Sequence, residues 1–253
     1  IMIKYLLIFL FSASIMAGPY VEAPNFKMTG SSYTARLFHK YQDKVNLMAE
    51  YLYVDTSTDV RQRETMLTLG GKYRVNQFLK LGAYYQRASG LWHEDDWLPL
   101  GGGLWAWKQT ADRDEDIAIL EMSPRMRLAW LPGSTWVFEQ RFRYFYNFFN
   151  DQHHLRARSN LTYFWLGASK PFINFNVAYE LYLPFNYGRR TIYETWLYLG
   201  ALYHINKTFK VGLNYSIRKQ YWQATDRFRG ATNLDFRSVD TAKLWGLSLV
   251  VKI

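Results

Sequence analysis

The stretch Trp136-Val137-Phe138-Glu139-Gln140-Arg141-Phe142-Arg143-Tyr144-Phe145-Tyr146-Asn147-Phe148 alternates without a break. One set of positions carries Trp136, Phe138, Phe142, Tyr144, Tyr146 and Phe148, with Gln140 among them. The other carries Glu139, Arg141, Arg143 and Asn147, with Val137 and Phe145. A period of two belongs to a β-strand, because successive side chains leave the backbone on opposite faces.

The same pattern recurs outward from this segment. Leu155, Ala157, Leu161, Tyr163 and Trp165 alternate with Arg156, Arg158, Asn160 and Thr162, and Ile173, Phe175, Val177, Tyr179 and Leu181 with Asn174, Asn176 and Glu180. Further strands are read at Val45–Tyr53, Thr65–Tyr73, Leu79–Tyr85, Phe209–Ile217 and Trp245–Ile253. Two architectures use such strands. A sandwich hides its apolar face against a second sheet, whereas a transmembrane barrel turns it to lipid. Clustered Arg and Glu on the polar faces, and aromatic residues crowding the strand ends, favour the barrel.

Composition excludes other classes. The 253 residues include no Cys, so disulfides, thiolate metal sites and a cysteine nucleophile are ruled out. With Trp 10, Tyr 20 and Phe 17, the chain is too aromatic for a disordered one despite its net charge of +10. Its mean hydropathy of −0.26 does not suit a bundle of membrane helices. Residues 1–17 read as a secretory signal peptide: Lys4, then the apolar run Tyr5–Phe11, then small residues to Ala17. Residues 18–253 are then one barrel domain in a bacterial outer membrane, in contact with its lipid and lipopolysaccharide.

Connection lengths predict the topology. Short links fall at Gln42–Lys44, Arg74–Gln77, Leu131–Ser134, Gly167–Pro171 and Ile205–Lys207. Long ones run over Asp55–Arg63, Ser89–Glu115, Pro184–Arg190 and Lys219–Asp240. Short turns on the periplasmic side and long loops outside are the arrangement of outer-membrane barrels. Eleven strands are clear, and an even number requires one more from Pro19–Gly30. The expectation is an all-β, antiparallel, up-and-down barrel of about 12 strands (10 as the fallback), monomeric, with both mature termini periplasmic.

Several segments carry a resemblance: Glu139–Tyr144, Leu155–Arg158, Tyr179–Leu181 and Glu194-Thr195-Trp196-Leu197-Tyr198-Leu199-Gly200. In these the chain resembles an uncharacterised outer-membrane family, domain of unknown function 2490. In Ser32–Leu37 and Ser123–Trp130 it is similar to the oligogalacturonate-specific monomeric porins. That second resemblance implies twelve strands and an Arg-lined lumen that passes acidic sugars.

The polar faces suggest the chemistry. Arg125, Arg127, Arg141, Arg143, Arg156 and Arg158 occupy alternate positions on three successive strands, with Glu121, Glu139 and Glu180 as acidic partners on the same faces. Guanidinium groups stay charged and bind carboxylates or phosphates in a bidentate fork. Such a track lining a lumen favours passive passage of small anionic solutes. The other reading makes the same residues a ladder of Arg–Glu pairs that fills a narrow, non-conducting barrel.

Catalytic and metal readings fare worse. His153 and His154 stand at the wrong spacing from Ser159 for a lipid hydrolase, and alternation points the two rings apart. The run Asp112–Asp116 lacks the Gly and Glu of an EF-hand loop. The Gly101–Gly103 run lacks the ending of a phosphate loop. No catalytic residue, metal or cofactor is assigned, and nucleic acid is excluded as a partner by strict alternation and export.

Overall fold

The computed structural model describes residues 20–22, 25, 27–57, 62–90, 93–101, 104–109, 113–131, 135–149, 151–167, 170–186, 192–223 and 235–253. The segment read as a signal peptide lies outside the described residues. The strands are β1 (Tyr20–Glu22), β2 (Lys27–Lys40), β3 (Val45–Ser57), β4 (Gln62–Arg74), β5 (Leu79–Gly90), β6 (His93–Gly101), β7 (Leu104–Gln109), β8 (Arg113–Arg127), β9 (Trp136–Asn147), β10 (His153–Gly167), β11 (Lys170–Pro184), β12 (Glu194–His204), β13 (Phe209–Gln223) and β14 (Asp235–Lys252).

Ten antiparallel pairings run from β2 through β3, β4, β5, β8 and on to β14, and a parallel pairing of β14 with β2 closes the sheet into a ring. The ring therefore has eleven strands, and the expectation of twelve is corrected. The Pro19–Gly30 region does not supply a strand between β14 and β2. Its described part, β1, pairs with Asp235–Arg237 along the same edge of β14 that β2 occupies from Thr241 onward. An odd strand count forces parallel closure, since the first and last strands then point the same way. Lys27 and Lys252 consequently lie at opposite ends of the ring, so the expectation that both ends share one side is corrected for the described residues. Stepping through the register from Lys27 to Thr241, Lys219 and onward ends at Val45, which faces Tyr41, fourteen residues beyond Lys27. This shear sets the tilt of the strands.

The short connections gather at one rim, here the turn end. Two of them repeat one device. The Asn76 Oδ1 accepts from the Phe78 and Leu79 N–H groups at 2.8 and 2.9 Å, and the Asn206 Oδ1 from the Thr208 and Phe209 N–H groups at 2.8 and 2.7 Å. At the other rim, the loop end, Asp151 turns the chain at φ 55°, a conformation Asp tolerates. The Ser89–Glu115 link is not one long loop. β5 and β8 extend into it, and β6 with β7 forms a separate two-stranded sheet. β13 and β14 likewise outrun their alternation, pairing as far as Gln223 with Arg237.

The outward face is apolar. Leu47, Leu69, Leu120, Val177, Leu213 and Leu247 are each more than two-fifths exposed. A polar pair on that face satisfies itself: Ser159 Oγ donates to its register partner Gln140 at 2.6 Å. The inward face is mixed. Met48, Tyr84, Ala88, Ile117, Ile119 and Phe145 pack as a buried cluster on the β3–β5–β8–β9 side, with Phe38 and Met66 against it. Sequence patterning did not anticipate this apolar filling, because Ile117 and Ile119 stand in a segment that is apolar on both faces.

Candidate functional site: an arginine wall inside the ring

Opposite register partners decide what the wall presents. Arg141 faces Arg158 and Arg143 faces Arg156 across β9 and β10. Like charges directly opposite one another are destabilising unless neighbouring strands compensate. β8 and β11 do so. Glu121, buried, faces Arg143 and accepts from its Nε at 2.7 Å, from Lys72 Nζ at 2.7 Å and from Ser123 Oγ at 2.7 Å. Gly82 lies between Glu121 and Lys72 in the register, and the space that a Cβ would take there is filled by the Tyr84 ring. Glu180, buried on β11, faces Arg158 and accepts from its Nη2 at 2.5 Å and its Nε at 3.0 Å. The Tyr198 hydroxyl donates to the same carboxylate at 3.1 Å.

Aromatic rings hold the guanidinium planes. Arg156 lies 4.1 Å from the ring centres of both Phe145 and Tyr182, and Arg158 lies 4.2 Å from that of Tyr198. His154 stacks on Phe145 at 4.7 Å, while His153 on the other face meets the Tyr144 hydroxyl through Nδ1 at 2.6 Å. The two histidines thus point apart, as alternation requires.

Farther toward the loop end an ion pair spans the interior. Arg218 on β13 donates to Glu64 on β4 at 3.1 Å and to Glu194 on β12 at 3.2 Å. Four steps around the ring separate β13 from β4, so this contact crosses the lumen. Glu115 faces inward at this end and accepts from Asn147 Nδ2 at 2.8 Å. Its sequence neighbours Asp114 and Asp116 lie outside and pair with Arg87 at 2.5 and 3.4 Å, so the acidic run is split between the two faces. The ring encloses a cavity of about 820 Å³, lined by Arg36, Glu50, Arg141, Arg143, Arg156 and Arg158 among others.

The six-arginine track of the sequence divides. Arg141, Arg143, Arg156 and Arg158 line the cavity, whereas Arg125 and Arg127 sit beyond it at the turn end. Arg125 is turned to the β4–β5 connection, where its Nε donates to the Gln77 carbonyl at 3.1 Å. Glu139 also lies toward that end, facing Arg125 in the register, 3.8 Å from Lys80. Lys44, Arg74, Lys207, Lys210 and Lys252 bring further positive charge to this end. Asp43, in the turn before β3, is held below the ordinary carboxylate range by the Lys40 ammonium 2.7 Å away. Local patterning missed the pairs Arg36–Glu50 and Arg218–Glu64 and the aromatic shelves under the arginines. Phe145, Tyr182 and Tyr198 had the parity of the arginines, and that was the available signal.

A search of the curated proteins gave no match. The family model for a protein of unknown function, DUF2490, matches residues 31–229, which take in most of β2 and every strand from there to the end of β13. The chain belongs to the DUF2490 family.

Proposed function

We propose that the chain is an outer-membrane barrel whose interior takes in small anionic solutes. The observation that carries this reading is the wall of four inward guanidinium groups, opposed in like-charged pairs and bordering an 820 Å³ cavity. A purely structural interior would gain nothing from opposing arginines, each of which needs a carboxylate or a ring to hold it. The exposed apolar outer face supports a membrane setting, since water-facing apolar patches of this extent are unusual. The basic turn end would draw anions toward the lumen. In this setting the outer partners are bilayer lipid and lipopolysaccharide, and the barrel acts as a monomer. No catalytic step is proposed.

A second reading has its own observation. The Arg218–Glu64 pair spans the lumen, as a non-conducting barrel would require. Planar-bilayer recordings in a salt gradient decide between them. A conducting barrel with a reversal potential on the anion side supports passage, and cation preference refutes it. Absence of any current favours the closed barrel. In a conducting barrel, Arg141→Gln with Arg158→Gln should reduce anion preference most at low salt, where the Debye length is long.

A further inference from the structure

Within the wall, partners are unevenly shared. Arg143 and Arg158 have carboxylates, whereas Arg141 and Arg156 make no ion pair among the described residues. The Nε–H groups of both Arg141 and Arg156 are shut off from solvent and meet no acceptor among the described residues. A buried charged donor without an acceptor is costly, and native interiors rarely keep two side by side. The pair is also held in place. Arg156 is clamped between Phe145 and Tyr182, so its faces are covered and its edge is what remains to bind. Arg141 stands two residues from Arg143 and opposite Arg158, which are tied to Glu121 and Glu180. Because Arg141 faces Arg158 and Arg156 faces Arg143, the two unpaired groups are diagonal neighbours, with Cβ atoms ~7–8 Å apart. Two guanidinium edges at that spacing can converge on one oxyanion. Beside them the Tyr84 ring lies 5.5 Å from the Arg143 guanidinium, and its hydroxyl is also buried without a partner among the described residues.

We infer that Arg141 and Arg156 form a discrete binding site for one phosphate group, as free phosphate or as the phosphate of a small monoester. A dianion matches two positive charges that have no ion-paired carboxylate among the described residues, and its several oxygens can accept at once from both guanidinium groups, which line the cavity. A single carboxylate would neutralise only one of them. The inference rests on the proposed reading in one respect: anions must reach the interior.

The test is calorimetric titration of the refolded full chain in detergent with inorganic phosphate, and separately with glycerol 1-phosphate, against acetate at equal ionic strength. Phosphate is expected to saturate one site per barrel and acetate to give no saturable heat. Saturation by the ester alone would identify an esterified source. Arg141→Gln and Arg156→Gln should each weaken binding by about tenfold or more, while Arg125→Gln at the turn end should leave it unchanged. Arg141→Lys provides the check on folding: it keeps the charge, loses the fork, and should still weaken binding in a barrel with normal heat-modifiable migration. Saturable binding that ignores these wall substitutions, or no saturable binding by the wild type, overturns the inference. The two proposals fail separately. Anion-selective current without saturable phosphate binding retains passage and removes the site. Saturable binding without current retains the site and removes passage.

Discussion

Neighbouring residues with opposite surroundings give the sharpest tests. Val177 is 49% exposed on the outer face, while Asn176 lines the cavity. In a bilayer, Val177→Arg should cost about 2–4 kcal/mol near the midplane, and Asn176→Arg much less, measured by urea titration of refolding into vesicles. Equal losses would show that the outer face does not meet lipid. Glu121 is the other informative position. It is buried between Lys72, Arg143 and Ser123, so Glu121→Gln leaves two part-buried cations without their buried carboxylate. The expected loss is about 3–5 kcal/mol, seen in the same titration. Glu139→Gln, whose ion pair at 3.8 Å is only part-buried, should cost far less.

At the scale of strands, glycine marks where one backbone comes against the next. A Cβ on Gly70 would meet the Ala83 carbonyl oxygen at 2.2 Å and the Tyr84 Cα at 2.7 Å, both backbone atoms of β5 that cannot step aside. Gly90, at φ 149°, stands in the same relation to the Arg63 carbonyl oxygen, also at 2.2 Å. Glycine at such points lets a barrel strand bend sharply. Gly70→Ala should therefore destabilise the barrel by about 1–3 kcal/mol. Gly71→Ala, whose nearest neighbours stand at 3.3 and 3.4 Å, should cost distinctly less. Thermal unfolding followed by the shift in gel migration checks both.

For the whole molecule, the decisive feature is the parallel seam between β14 and β2. Tyr33 and Leu247 are register partners across it, and both side chains point outward. Adjacent strands lie ~4.8 Å apart, within disulfide reach. Since the chain has no Cys of its own, Tyr33→Cys with Leu247→Cys should cross-link on oxidation. Reduced, cross-linked and heated samples would be told apart on a gel. Failure to cross-link in a folded barrel would mean that another strand separates β2 from β14, and an even-stranded ring would be restored.

Much of the fold was legible in the chain itself, for a local reason. Strand side chains alternate by parity, so Trp136–Phe148 identifies its two faces without knowledge of its neighbours. The inward parity of Arg141, Arg143, Arg156 and Arg158 follows in the same way. Strand limits were less legible where both faces mix polar and aromatic residues, as over Lys219–Gln223, because alternation then carries no contrast. The twelfth strand was inferred from a parity rule, and closure followed the pairing actually available to β14. Which charges meet was decided only by the tertiary structure. Glu64 and Arg218 are 154 positions apart and touch because the sheared ring brings β4 and β13 across one lumen. The same shear places Glu121 and Glu180 beside Arg143 and Arg158 and leaves Arg141 and Arg156 without an ion-paired carboxylate among the described residues. Parity is a property of each strand alone, whereas partnership depends on the register of every strand around the ring.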